Sequence, residues 1–249
     1  MLTANNDHQY QIQRIMKIST NLKSSFKMLL AAVTLSAVVT SCSKDFDNTP
    51  APSVSGLNMI HASPTAEKFD FFVGNTRGNN EDFFLGKKLG YYNVYSGTSK
   101  ISITKKGSQT ALASENFNFA PERGYSLFVI GKLDSVKFLM VKDSVSLPAA
   151  GKANIRFVNV SPDALALNLA VGTAATDLVT DKAYKQYSEF TTIDAATKVT
   201  FTAKNKATGA VEATLPDVEI KSGSTYTVWV KGLKAATDST KLGLAIFRH

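Results

Sequence analysis

Residues 57–64 read LNMIHASP, and the pattern returns 98 residues later as IRFVNVSP at 155–162. At the same offset Phe69, Phe71 and Val73 pair with Leu167, Leu169 and Val171, Gly74 with Gly172, and KISIT at 100–104 with KVTFT at 198–202. Tyr92-x-x-Tyr95-Ser96 answers Tyr184-x-x-Tyr187-Ser188, and after a three-residue insertion YSLFV at 125–129 aligns with YTVWV at 226–230. Self-similarity at one long period marks a repeated structural unit. The chain from residue 56 therefore divides into two copies, 56–150 and 151–249, each of ordinary domain size.

Each copy reads as strands, because apolar and polar residues alternate over short runs instead of recurring at helical spacing. Side chains of a strand alternate between faces, so Phe69, Phe71 and Val73 share one face while Asp70 and Phe72 take the other. The runs at 125–130 and 226–230 are apolar at nearly every position, as central strands are. Turn residues separate the runs, among them Lys106-Gly107-Ser108, Pro121 to Gly124, Thr208-Gly209 and Ser222-Gly223-Ser224. About seven short strands per copy and no amphipathic helix predict an all-β chain of two tandem β-sandwiches. The tyrosines that open the 125 and 226 runs are placed for a tyrosine-corner hydrogen bond.

Ahead of the repeat stands an export signal. Lys17, Lys23 and Lys27 precede a 12-residue apolar run, MLLAAVTLSAVV at 28–39, with small residues up to Cys42. As a helix that run is about 18 Å long, too short for a hydrocarbon core of about 30 Å. Residues 1–41 are read as a signal peptide, with Met16 as an alternative start. Val39-Thr40-Ser41-Cys42 resembles the lipobox of bacterial lipoproteins, which implies a diacylglycerol on Cys42 and membrane attachment through it. Acyl chains anchor because each buried CH₂ contributes about 0.8 kcal/mol, so two or three chains hold firmly. Residues 42–55, rich in Ser, Pro, Asp and Asn, read as the lipidated cysteine and a flexible tether. The stretch Ser43-Lys44-Asp45-Phe46-Asp47 is similar to the post-cysteine segment of surface-exported Bacteroidota lipoproteins. The expected location is therefore the outer membrane, facing outward.

The 249 residues are 44% hydrophobic and 19% charged, which excludes disorder as the main state. A net charge of +8 becomes about +5 once residues 1–41, with four cations and one anion, are removed. The remaining lysines are scattered, without a basic aromatic stripe, so nucleic acid is not an expected partner. One cysteine allows no internal disulfide, and after processing only His61 and His249 remain of three histidines. Imidazole or thiolate metal sites thus lack ingredients, and no cofactor or metal is expected. Calcium could meet only loop acids such as Asp45 and Asp47, which lack EF-hand spacing.

The segment IHASPTA at 60–66 followed by Phe69-Asp70-Phe71, with VNVSPDA at 158–164 in the second copy, resembles the DUF4397 family of bacterial extracellular domains. The resemblance spans 56–249 in two copies and implies an immunoglobulin-like β-sandwich at the cell surface, with no established activity. The second copy departs from the motif at Asn159 and Asn168, which argues against a shared charged site.

Candidate sites follow from what the two copies share. Ser63, His61 and Asp70 could be drawn as a Ser-His-Asp relay, but the second copy keeps the serine and drops both partners. The simpler reading is a structural turn: His61, Ser63 and Pro64, like Asn159, Ser161 and Pro162, end a strand, with proline fixing φ and the His or Asn hydrogen-bonding the turn. Glu81, Asp82 and Asp163 are scattered acids without a glycosidase pairing. The segment 83–95 is dense in aromatics and lysines. Tyr92 and Tyr95 have counterparts in the second copy and are expected to pack inside. Phe83, Phe84 and Tyr91 do not, and they are the expected ligand-binding residues, on a glycan or a protein. The function expected is a non-catalytic binding or adhesion module. A structural component of an envelope complex is the alternative, and an envelope hydrolase the third.

Overall fold

The alternation of the first copy is realised as eight strands. In the computed structural model, which describes residues 52–249, these are β1 (Val54–His61), β2 (Phe69–Val73), β3 (Thr76–Arg77), β4 (Lys88–Tyr95), β5 (Gly97–Lys105), β6 (Ala111–Phe119), β7 (Gly124–Ile130) and β8 (Lys137–Asp143). They form two four-stranded sheets, β4-β1-β7-β8 and β3-β2-β5-β6. The second copy supplies β9 (Lys152–Asn159), β10 (Leu167–Val171), β11 (Val179–Lys182), β12 (Thr191–Asp194), β13 (Ala196–Asn205), β14 (Val211–Ile220), β15 (Thr225–Lys231) and β16 (Gly243–Arg248). Its sheets run β12-β9-β15-β16 and β11-β10-β13-β14, the same order strand for strand. The chain is all-β, two sandwiches in tandem, with eight strands per copy instead of seven. The signal peptide, Cys42 and the tether up to residue 51 lie outside the described residues, and β1 begins two residues before Gly56.

Pairing is antiparallel except that β1 runs parallel to β7, with Leu57 opposite Tyr125, and β9 to β15, with Ile155 opposite Tyr226. Period two then fills each core. Leu57, Met59, Phe69, Phe71, Leu127 and Val129 pack inside the first sandwich, and Ile155, Phe157, Leu167, Leu169, Val228 and Val230 inside the second. Both expected tyrosine corners form: the Tyr125 hydroxyl accepts the Ala120 N–H at 3.1 Å, and the Tyr226 hydroxyl the Lys221 N–H at 3.0 Å.

The outward faces of β1, β7, β9 and β15 are buried too, which explains why the runs at 125–130 and 226–230 are apolar at nearly every position. Ile60, Ala62, Phe128, Ile130 and Val141 form one cluster with Val158, Val160, Trp229 and Phe247, so the two sandwiches share a third core. Repeat-equivalent residues meet there. Phe128 and Trp229, counterparts in the repeat, contact edge-to-face at 5.8 Å. The register places Asp143 and His249 at equivalent positions, and His249 Nδ1 lies 3.8 Å from Asp143 Oδ2. Contact of like with like is the mark of an isologous interface, here fused into one chain.

A buried polar network closes this face. Arg156 on β9 donates through Nη2 to Asp143 Oδ1 at 2.7 Å, through Nη1 to the Lys142 carbonyl at 3.1 Å and through Nε to Thr227 Oγ1 at 3.1 Å. Its guanidinium also lies 4.7 Å over the Phe190 ring. Asp143 in turn accepts from the Tyr91 hydroxyl at 2.6 Å and from Ser126 at 2.9 Å.

Candidate functional site

The Ser-Pro turns occupy equivalent places in both sandwiches. Ser63 Oγ donates to the Gly131 carbonyl at 2.6 Å and Ser161 Oγ to the Gly232 carbonyl at 2.7 Å. Both glycines need to be glycine. They hold φ of +82° and +81°, and a Cβ would fall 2.5 Å from the Ser135 carbonyl oxygen or 2.2 Å from that of Lys241. Asn159 ties its turn as expected, donating to the Lys182 carbonyl at 2.9 Å and accepting the Ser161 N–H at 3.2 Å.

His61 does not make the expected hydrogen bond. Its ring is buried and stacks on Phe69 at a centroid distance of 4.3 Å, with Phe83 edge-on at 5.1 Å. Among the described residues neither ring nitrogen has a hydrogen-bond partner of normal geometry. Burial pushes its pKa down to about 3, with the backbone carbonyls of Glu67 and of His61 itself opposing weakly. A Ser-His-Asp relay is not assembled: Ser63 is committed to Gly131, and Asp70 accepts from Arg77 at 2.6 Å and from the Gly107 N–H at 2.9 Å.

The buried imidazole makes stability depend on pH. The unfolded chain protonates His61 near pH 6.5, the folded chain only near 3, so the unfolded state binds more protons between those values. Stability should therefore fall as pH drops from 6.5, by about 1.4 kcal/mol per unit. His249, lowered to about 4 chiefly by burial with Asp143 opposing, adds a second contribution of the same sign. His61→Asn, which installs the second copy's residue, should leave stability at pH 7 within about 1 kcal/mol and flatten this acid loss, read by urea denaturation at pH 7 and pH 5. An unchanged pH slope would show that His61 is not the titrating group.

Phe83, Phe84 and Tyr91 do not converge on one site. Phe83 is fully buried among Phe69, Phe71 and His61, because its backbone bridges to Phe69 at the sheet edge and turns the ring into the core. Phe84 is 46% exposed beside Thr65, Ala66, Leu85 and Ser239 in a shallow groove. Tyr91 keeps an exposed ring edge, but its hydroxyl is held by Asp143 at 2.6 Å and His249 at 2.8 Å, so it clamps the two sandwiches together. Burial and then the Asp143 charge raise its pKa far above the ordinary tyrosine range.

Tyr95 supplies the exposed aromatic face that these residues do not. Expected to pack inside, it is 68% exposed, since it sits at the last position of edge strand β4 with no strand beyond it. It lines a cleft of about 420 Å³ between β4 and the β2–β3 edge, together with Phe71, Val73, Thr76, Arg77, Tyr92, Asn93 and Ser99. That volume lies in the usual range for ligand pockets. Tyr92 packs edge-on against Phe71 at 5.3 Å to make the floor. Gly78 permits this floor, because a Cβ there would overlap the Phe71 ring at 2.1 Å. Burial, then the nearby Glu81 charge, keeps the Tyr92 hydroxyl above its ordinary pKa and therefore neutral. Arg77 forms the opposite wall, held by buried Asp70.

The equivalent edge of the second sandwich carries a cleft of about 510 Å³ lined by Val171, Thr176, Asp177, Ile193, Asp194 and Lys198, with no aromatic ring. Among the described residues no group of three His, Cys, Asp or Glu is placed to hold a metal ion. Asp45 and Asp47 lie outside them.

Residues 55–170, from β1 to the end of β10, match the family model described as Domain of unknown function (DUF4397). The match takes in the whole first sandwich, with its HASP turn and its aromatic cleft, and the first two strands of the second. No curated protein matches the chain. Among solved structures, this chain is similar at 12% identity to a streptococcal virulence factor that binds α-glucan, covering 72% of this chain and 92% of that one with a TM-score of 0.23. A family CBM26 module of Eubacterium rectale Amy13K in complex with maltoheptaose matches at 9% identity, covering 78% and 97%, TM-score 0.26. The fimbrial anchor protein Mfa2 of Porphyromonas gingivalis matches at 7%, covering 79% and 97%, TM-score 0.22. Scores this low carry nothing about a ligand of this chain.

Proposed function

We propose that this protein is a lipid-anchored, non-catalytic binding module of the bacterial outer membrane, held through Cys42 with its sandwiches facing outward, and that it meets its ligand at the Tyr95 cleft. The observation that carries the binding reading is the exposed Tyr95 ring on the wall of a pocket-sized cleft that only the first sandwich lines with aromatics. A large apolar ring left in water at a concave site is a contact surface waiting for a partner. The sandwich frame suits this task, because its cores fix the cleft while edge and loop residues vary without disturbing them. Anchor and orientation rest on the apolar run, Cys42 and the Lys-Asp stretch behind it. Cys42→Ser should abolish lipid labelling and detach the protein from the membrane.

Binding is tested with the mature chain carrying Cys42→Ser on glycan and protein arrays, beside Tyr95→Ala and a control in the second cleft, Lys198→Ala. Signals should vanish with Tyr95→Ala and persist with Lys198→Ala. Identical profiles for all three would refute the cleft as the binding site. A role in assembling an envelope complex is favoured by one observation, the connection between the sandwiches, where Leu147 is 88% exposed. Under that reading Leu147→Ser, and not Tyr95→Ala, removes a protein partner.

A further inference from the structure

We propose that the Tyr95 cleft takes an uncharged saccharide, with a pyranose ring stacked on Tyr95 and its hydroxyls on Arg77, Asn93, Thr76 and Ser99. This rests on the reading of the cleft as the ligand site and adds the class of ligand.

Three features select it. The first is shape and wetness: Tyr95 offers a flat apolar face at a rim that stays open to solvent, which suits a ligand with one C–H face and polar edges better than a fully apolar one. The second is charge. Arg77 is the only ionisable lysine, arginine, histidine or acid in the lining, and its guanidinium is bonded to Asp70, which is buried and held further by the Gly107 N–H. The pair is close to neutral, so the cleft presents the remaining planar N–H donors without a net field to attract an anion. The third is the mixture of donors and acceptors. Hydroxyls of Thr76, Ser99, Tyr92 and Tyr95 and the Asn93 amide can each give and accept hydrogen bonds, as sugar hydroxyls do. A peptide strand could pair along one wall only, the open edge of β4. On the β2 side the Phe71 N–H is already bonded to Asn79 Oδ1 at 2.9 Å and the Phe71 carbonyl to the Gly78 N–H at 2.8 Å, so no free backbone rung is offered there.

The second cleft works as an internal contrast. It has similar volume and the same place in its sandwich, but Asp177, Asp194 and Lys198 replace the rings, and nothing flat is available for stacking.

The test is calorimetric titration of the mature Cys42→Ser chain with gluco-, xylo-, manno- and galacto-configured neutral hexasaccharides, and with oligogalacturonate as the anionic comparison. A neutral sugar should bind with an affinity that changes less than about twofold between about 0.05 and 0.5 M NaCl, since no charge is screened. Tyr95→Ala should weaken it at least tenfold, Tyr95→Phe should keep it, and Arg77→Met should weaken it without changing the salt response. Melting temperatures of the variants exclude unfolding as the cause. Silence of all neutral sugars, binding confined to oligogalacturonate with a steep salt dependence, or undiminished binding by Tyr95→Ala would each overturn the proposal. If the neutral sugars are silent while another array ligand is lost with Tyr95→Ala, the cleft stands as the binding site and only the saccharide is wrong. If Tyr95→Ala alters no binding at all, both fall.

Discussion

Asp143→Ala should cost about 3–5 kcal/mol of stability, because it strips the carboxylate from a charge pair that has no water to fall back on. The Arg156 and Asp143 side chains are each 2% exposed and 2.7 Å apart. Without Asp143, Arg156 keeps its bonds to the Lys142 carbonyl and Thr227 but carries an uncompensated buried charge, and the Tyr91 and Ser126 hydroxyls lose their acceptor. The loss should appear as a lower urea midpoint with an unchanged slope. Replacing both partners, Asp143→Leu with Arg156→Met, should recover much of it, since the large term is the orphaned charge and not the pair itself. If the single substitution costs less than 1 kcal/mol, the face between the sandwiches is wetter than described.

Trp229→Ala should be of the same size, about 3–5 kcal/mol, by the loss of a large buried ring and the cavity it leaves. Trp229 is 1% exposed and packs on Phe128 in the core that belongs to neither sandwich alone. It is also the only tryptophan of the chain, so in the wild type its emission reports this shared face directly. Unfolding followed by fluorescence should coincide with unfolding followed by far-ultraviolet dichroism, because separating the sandwiches exposes the cluster and removes support from both. Each copy holds a core of its own, yet either half made alone would leave its part of this cluster in water and should melt at lower denaturant than the joined pair. A tryptophan transition well below the main one would mean that the sandwiches part before they unfold.

Particular residues show how far the sequence could be read. The alternation of Phe69, Asp70, Phe71 and the return of the LNMIHASP pattern at 155 were enough for strands, for the two sandwiches and for the tyrosine corners, since all three depend on period and local turn chemistry. The shared face was half legible. Continuous apolar character at 125–130 marks a strand covered on both sides, but composition cannot say that the second cover is the other copy. Arg156 gave no signal, because its counterpart Asn58 is neutral and its partner lies on a different strand. The aromatic segment was misread residue by residue. The match of Tyr92 and Tyr95 to Tyr184 and Tyr187 is one of sequence alone. By register the counterparts of Tyr92 and Tyr95 are Thr191 and Asp194, while Tyr187 stands at the place of Lys88, so the repeat says nothing about packing of Tyr95 at the end of its edge strand. Phe83 lacked a recognisable counterpart only because Lys182 fills its place beside β10, at the bridge position opposite Leu167. The shared capacity of His and Asn to bond a turn assigns His61 the role that only Asn159 fills, because a flat imidazole between Phe69 and Phe83 stacks instead.

The claim on which the functional account turns is that ligand meets this chain at the first cleft. Backbone amide shifts of the isotope-labelled mature Cys42→Ser chain, recorded by NMR during titration with the neutral hexasaccharides, test it most directly. The predicted result is a set of shifts confined to Thr76–Gly78, Tyr92–Tyr95 and Ser99, with the second cleft around Asp177 and Lys198 unmoved. Shifts centred on Phe84 and Leu85, on the second sandwich, or nowhere in the chain would contradict it.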